Sequence, residues 1–219
     1  MIRTIAALCC FATAVTVAAD EAAVPDSGRS LVEGFLTDID TLAGRFEQTL
    51  IDANGEVLEV SSGTLEIHRP GQFRWAFDQP YEQWLIADGL NIWSYDVDLA
   101  QATVKSQAEA LANTPAQLLG GSIAAMNEFE FDGVFEDGGL TWVRMRPVDT
   151  DSGFSRLELA FSKRALTRML FFDHLEQTTL VSLQDVVVNE AIDPARFVFE
   201  IPQGVDVVGT PALPDSESH

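Results

Sequence analysis

Reactive side chains are scarce in this chain, and their spacing builds no reaction centre. Its three histidines, His68, His174 and His219, lie far apart. None stands in an HExxH pattern that would hold a metal-bound water. There is no GxSxG nucleophile turn, no phosphate-binding loop and no dinucleotide glycine pattern. His68 has the place of a surface strand residue, and His174 follows Asp173 in a turn-like stretch. Both cysteines, Cys9 and Cys10, fall within the first twenty residues, so no thiol follows to pair with a histidine. The remaining acid–base groups are scattered carboxylates. The reading is therefore not an enzyme: no catalytic residue, no metal ligands and no cofactor are assigned.

One charged residue does ask for an explanation. The stretch LEIHRPGQFRWAF, Leu65 to Phe77, alternates like a strand, with Leu65 and Ile67 on one face and Glu66 and His68 on the other. By the same count Arg69 falls on the apolar face. It precedes Pro70, so its backbone is extended. A buried guanidinium is costly unless its five donors find acceptors. The last carbonyls of a helix are such acceptors, being unpaired and partly negative. Arg69 then reads as a clasp for a helical lid over the end of a sheet. The alternative is an arginine that curls outward into water.

Several elements must position that residue. Apolar residues at Leu31, Phe35, Leu36, Ile39 and Leu42 predict a helix from Ser30, as N-cap, to about Ala43. From Phe46 the period changes to two. DANG (Asp52–Gly55) is a hairpin turn, Val57 to Arg69 a long strand, and RPGQ a type II turn. Further strands are expected over Phe73–Phe77, around NIWSY, and over Ala102–Ser106, Phe129–Phe135 and Leu140–Arg146. Others follow over Phe154–Phe161, Arg168–Phe172, Thr178–Val188 and Arg196–Glu200. Between the two strand sets lies NTPAQLLGG, with Thr114 as N-cap, Pro115 at N1, Gln117 at N3 and Gly120 as the stop. The fold class is thus mainly β with an α lid: an open or incomplete antiparallel barrel of about 11–12 strands, covered by short helices. The tail GTPALPDSESH reads as mobile or as a late edge segment.

So wide a sheet has an apolar face that a few short helices do not readily fill. Either a core of ordinary packing results, or a hollow suited to a lipid or another apolar ligand. The candidate cavity residues are Phe46, Leu50, Leu65, Ile67, Phe73, Trp75, Phe77 and Trp93 from the strands, and Leu118 and Leu119 from the insert. An outer-membrane barrel is disfavoured, because acidic residues stud the polar strand faces and the chain ends SESH rather than on an aromatic.

The first nineteen residues read as a cleaved signal peptide, with Arg3, an apolar run from Ile5 to Val17 and the small-residue site Val17-Ala18-Ala19. Asp20 stands where a lipid-anchored export product needs a cysteine. Residues 20–219 then form one domain, exported, without disulfides and held by its core. The formal net charge is −21. That charge repels phosphate backbones, so no nucleic-acid partner is expected.

The run GRFEQTL…DANGEVLEVSSGTLEIHRPGQFRWAFDQPYEQWLIADGLNIWSYDVDLAQATV…NTPAQLLGG resembles the LolA family of periplasmic lipoprotein carriers. So does the closing ARFVFEIPQGVDVV, Ala195 to Val208. The likeness runs from about Leu31 to Val205, and the block Gly63 to Tyr95 is its most specific part. Departures are the acidity, the short insert around Gly120 to Phe131 and a short, proline-containing tail. The resemblance implies a half-closed barrel with a helical lid, Arg69 hydrogen-bonding that lid in the empty form, and Phe73 and Trp75 at the cavity mouth. It also implies a monomeric carrier in the periplasm. Its partners would be outer-membrane lipoproteins, an inner-membrane ABC transporter that releases them and an outer-membrane receptor. The alternative is a related half-barrel that binds lipid or glycolipid, or senses lipid.

Overall fold

The computed structural model describes residues 24–111, 116–121 and 123–213. The expected signal peptide, Thr114 and Pro115 of the capping pattern, and the end of the tail lie outside these residues, as does the Gln117 side chain. Helix α1 (Val24–Thr37) opens the described chain. Six strands follow: β1 (Thr41–Ile51), β2 (Val57–His68), β3 (Gln72–Gln79), β4 (Gln83–Asp88), β5 (Asn91–Asp96) and β6 (Gln101–Ser106). The insert holds α2 (Gln107–Leu111), α3 (Ala116–Gly120) and a 3-10 helix (Ile123–Glu128). The second strand set is β7 (Phe129–Asp137), β8 (Leu140–Pro147), β9 (Arg156–Ser162), β10 (Ala165–Phe172) and β11 (Thr178–Val188). A 3-10 helix (Pro194–Phe197) and a last short strand, β12 (Asp206–Val208), complete it.

All twelve strands join one sheet in the order β12-β6-β5-β4-β3-β2-β1-β11-β10-β9-β8-β7. Neighbours pair antiparallel except β12, which runs parallel to β6. Among the described residues no pairing links β7 to β12, so the sheet stays open. The chain's two halves meet where β1 pairs with β11. Turn chemistry sets the register. The Asp52 carboxylate accepts from the N–H groups of Asn54 (2.9 Å) and Glu56 (2.8 Å), and Gly55 takes the left-handed φ of +85° that closes the β1–β2 hairpin. Hydrogen bonds from Glu56 and then Asn54 hold the Asp52 carboxyl below its usual range. At Gly63 a Cβ would collide with the Ala76 carbonyl, so only glycine lets β2 approach β3 there.

Two expectations are corrected. The helix spans Val24–Thr37, and the chain is extended from Thr41. Leu42 fits a helical count, but it also sits on the alternating face of β1, where it pairs with Ile67 and Val188. Strand pairing on both sides outweighs the last half-turn of a helix. RPGQ turns as expected, with Gly71 at φ +84°, the left-handed value that the second central place of a type II turn needs; its Arg69–Pro70 peptide is cis. Arg196–Glu200 is not a strand: Asp193 caps a 3-10 helix by accepting from the Ala195 N–H, with Pro194 starting the turn.

The sheet buries both faces. Alternation on β4 and β5 sends Ala87 and Ile92 to the inner face and Ile86 and Trp93 to the outer one. The segment after the second 3-10 helix covers the outer face, where the Phe199 ring lies 5.1 Å from Trp93 and 5.4 Å from Tyr95. Arg196 grips Glu66 through Nη2 (2.7 Å) and Nε (3.0 Å), and so ties that segment to β2.

Candidate functional site

The inner face is a continuous apolar surface. Leu65, Ile67 and Phe73 are fully buried and Phe46 nearly so. They meet Val32, Phe35 and Leu36 from α1, and Leu111, Leu118, Leu119 and Met126 from the insert. The second half of the sheet adds Met145, Leu157, Leu159, Phe161 and Met169. The helices thus cover the inner face with their own apolar side chains. Phe46, Trp75 and Phe77 form an aromatic wall, with centroid distances of 5.3 Å (Phe46–Trp75) and 5.1 Å (Phe46–Phe77).

The structure brings together most of the sequence-predicted cavity residues. Phe46, Leu65, Ile67, Phe73, Trp75, Leu118 and Leu119 share this core, and Phe77 packs half-buried at its margin. Leu50 is half-buried near the far end of β1, outside the core. Trp93 is a correction. It lies on the outer face, with its indole N–H donated to Asp88 Oδ2 at 3.1 Å. A strand alternates faces at every residue, and the inner-facing position on β5 is Ile92.

Arg69 lies where β2 meets the helices. Its Nη1 donates to the Ile39 carbonyl at 2.7 Å, and its guanidinium stands 4.5 Å from the centre of the Phe35 ring. Ile39 follows α1, so the acceptor comes from the α1–β1 linker, not from the mid-chain insert. Asn189, just past β11, holds that linker: its amide donates to Asp38 O (2.8 Å) and accepts from Asp40 N–H (2.8 Å). Arg69 Nε and Nη2 are buried without a hydrogen-bond partner among the described residues. Burial pushes the Arg69 pKa down to about 10, partly opposed by Asp40. The guanidinium stays charged at neutral pH, held at a cost.

The insert is fastened by other groups that the sequence did not single out. The Gly71 N–H donates to the Gly120 carbonyl at 2.7 Å, the C-terminal carbonyl of α3. That is the helix-end acceptor expected for Arg69, used instead by the backbone of the neighbouring turn. Gln107, first residue of α2, donates from Nε2 to Gly71 O (2.7 Å) and accepts at Oε1 from Gly89 N–H (3.0 Å). A lone glutamine after a strand carries no sequence signal of such a role. Between this rim and the insert lies a cleft of about 600 Å³, lined mostly by small residues, including Gly71, Gly89, Gly120, Ala108, Ala124 and Ala125. Gly120 fits there because a Cβ would stand 3.0 Å from the Phe73 ring.

His68 and His174 stand apart from this core. His68 Nδ1 lies 2.8 Å from Gln72 Oε1 and its ring stacks on Phe197, while His174 Nε2 meets Ser152 O at 2.9 Å. Among the described residues no group of three or more histidine or acidic side chains is placed to hold a metal ion.

Residues 37–200 match the family model described as "Outer membrane lipoprotein carrier protein LolA". The chain is 40% identical over 176 residues to an outer-membrane lipoprotein carrier protein of Halorhodospira halophila, spanning 80% of this chain and 83% of that protein. It is 37% identical over 210 residues to the protein of the same description from Pseudomonas paraeruginosa, spanning 95% of this chain and 98% of the relative. Among solved structures, an uncharacterized conserved protein from Thermus thermophilus superposes with a TM-score of 0.51 at 12% identity. The match covers 84% of this chain and 97% of that one, a likeness of fold alone.

Proposed function

We propose a working cycle for this chain from the premise that it belongs to the LolA family of outer membrane lipoprotein carrier proteins. Its function is that of an outer-membrane lipoprotein carrier, and the carriers of this family are periplasmic transport proteins rather than enzymes. The inner face of the sheet, lined by Phe46, Leu65, Ile67, Phe73 and Trp75, takes the acyl chains. Each methylene left in water costs about 0.8 kcal/mol, so a chain crossing an aqueous compartment needs such a surface. Loading displaces Leu118, Leu119 and Met126 of the insert, and Phe35 with its neighbours on α1. Those side chains stand in for cargo while the protein is empty.

Arg69 serves in this cycle as a clasp between β2 and the α1–β1 linker, with the Gly71–Gly120 bond and Gln107 fastening the insert. Breaking these contacts offsets part of the gain from burying acyl chains, so cargo is held less tightly than in a membrane and can be released. The clasp is itself imperfect, with two guanidinium nitrogens unpaired, and that keeps opening accessible. An ATP-driven inner-membrane transporter supplies cargo, and an outer-membrane receptor that binds it more tightly removes it. Residues 1–19 are the signal that brings the chain to the periplasm.

The observation that carries this reading is one continuous apolar face covered by the apolar side chains of helices. The test adds purified protein to spheroplasts with a matched transporter and looks for a soluble complex with an outer-membrane lipoprotein. Release into the medium is expected. It should be lost when bulky polar residues replace Leu65 and Ile67. No release by the unsubstituted protein refutes the carrier cycle.

A further inference from the structure

Three buried tryptophans can be compared within the described residues: Trp75 (8% exposed), Trp93 (8%) and Trp142 (7%). Trp93 donates its indole N–H to Asp88 Oδ2 at 3.1 Å, and Trp142 donates to the Asp137 carbonyl at 3.2 Å. The Trp75 Nε1 has no acceptor among the described residues. Its surroundings explain why. The ring meets Phe46 edge-on and lies parallel to Phe77 at 6.2 Å, while its strand neighbours across β2 and β4 are Leu65 and Leu85. None of these side chains accepts a hydrogen bond. A phenylalanine would give the same apolar wall without burying an unpaired donor, and buried donors are almost always paired.

We infer that the Trp75 indole N–H is a binding site for the carbonyl of a bound acyl group, supplied only when cargo replaces the covering helices. This rests on the carrier reading above and adds a polar contact to it. An acyl chain differs from a plain hydrocarbon in one respect, the ester or amide carbonyl at its root. A single donor in an aromatic wall recognises that oxygen and fixes how far the chain slides along the inner face. The empty protein keeps the donor unpaired, so the hydrogen bond forms only on loading.

The test uses a diacylglycerol with eight-carbon chains and its dialkyl-ether counterpart, which has the same chains and no carbonyl. Binding of each to the full protein and to Trp75→Phe is measured by calorimetry, with unfolding curves to verify the fold. The unsubstituted protein is expected to prefer the diester. Trp75→Phe removes apolar contact with either lipid, and should weaken the diester about five- to tenfold more than the diether. On the unsubstituted protein, the Trp75 indole proton resonance, assigned by its loss in the variant, should move downfield with the diester alone. Equal weakening of both lipids, or of neither, overturns the donor assignment while leaving the carrier reading intact. Binding of neither lipid by the unsubstituted protein overturns the carrier reading and this assignment with it.

Discussion

Arg69 and Gln107 do related work by different chemistry. The arginine places a charge where burial disfavours it, meets one carbonyl and leaves two nitrogens unpaired. Leucine there removes both the hydrogen bond and the buried charge. Arg69→Leu is expected to load cargo but to pass it on roughly tenfold more slowly, because an empty state that no longer regains the clasp competes less well with the loaded one. Transfer of bound lipoprotein to acceptor membranes carrying the receptor measures this, and a wild-type transfer rate would contradict the clasp. Gln107 is neutral and satisfied at both ends of its amide. Gln107→Ala leaves Gly71 O and Gly89 N–H to find water, and each bond is worth about 1 kcal/mol. Amide hydrogen exchange across the insert should then quicken by roughly tenfold, while β1 and β2 keep their protection. Unchanged exchange would contradict a fastening role for the Gln107 side chain.

At the scale of elements, the sheet's two faces have separate duties. The inner face is covered by α1 and the insert; the outer face is covered by the segment after the second 3-10 helix, pinned by Arg196 to Glu66 and by Phe199. Phe199→Ala should cost about 3 kcal/mol of stability by opening a cavity against Trp93 and Tyr95. Chemical denaturation measures that loss. Lipid binding by the folded fraction should not change, since the cavity opens on the wrong side of the sheet. A parallel loss of lipid binding would mean that the two faces are coupled. The strand expectation for Arg196–Glu200 failed for a local reason. Val198 and Phe199 look like strand residues, but Asp193 and Pro194 start a 3-10 turn that swings them over the sheet instead of into it.

For the whole molecule, the single open sheet joins residues distant in sequence. β1 pairs with β11, so Leu42 lies beside Val188, and Asn189 reaches back to Asp38 and Asp40. The linker that accepts the Arg69 hydrogen bond is thereby held by the other end of the chain. The acidity, at a formal −21, is an excess beyond the carboxylates that hold Arg196, Trp93 and the β1–β2 turn. It acts on encounters instead, repelling nucleic acids and anionic surfaces.

Much of this was legible from the residues alone. Period-two alternation and turn residues located most of the strands, and the limits of Thr178–Val188 agree with β11 residue for residue. The alternation placed Arg69 on the apolar face, and the block around Gly63 to Tyr95 pointed to the family. Those signals are local, because side-chain periodicity and turn chemistry act within a few residues. Sequence determined which residues are apolar, where the chain turns and that a charge stands on the wrong face. It did not determine which carbonyl meets that charge, which face Trp93 takes, or that Gln107 bridges two turns. Those depend on elements brought together from distant parts of the chain, about which a local pattern is silent. Only the tertiary structure decides them, because a hydrogen bond needs its partner within about 3 Å, and only the folded sheet sets that distance.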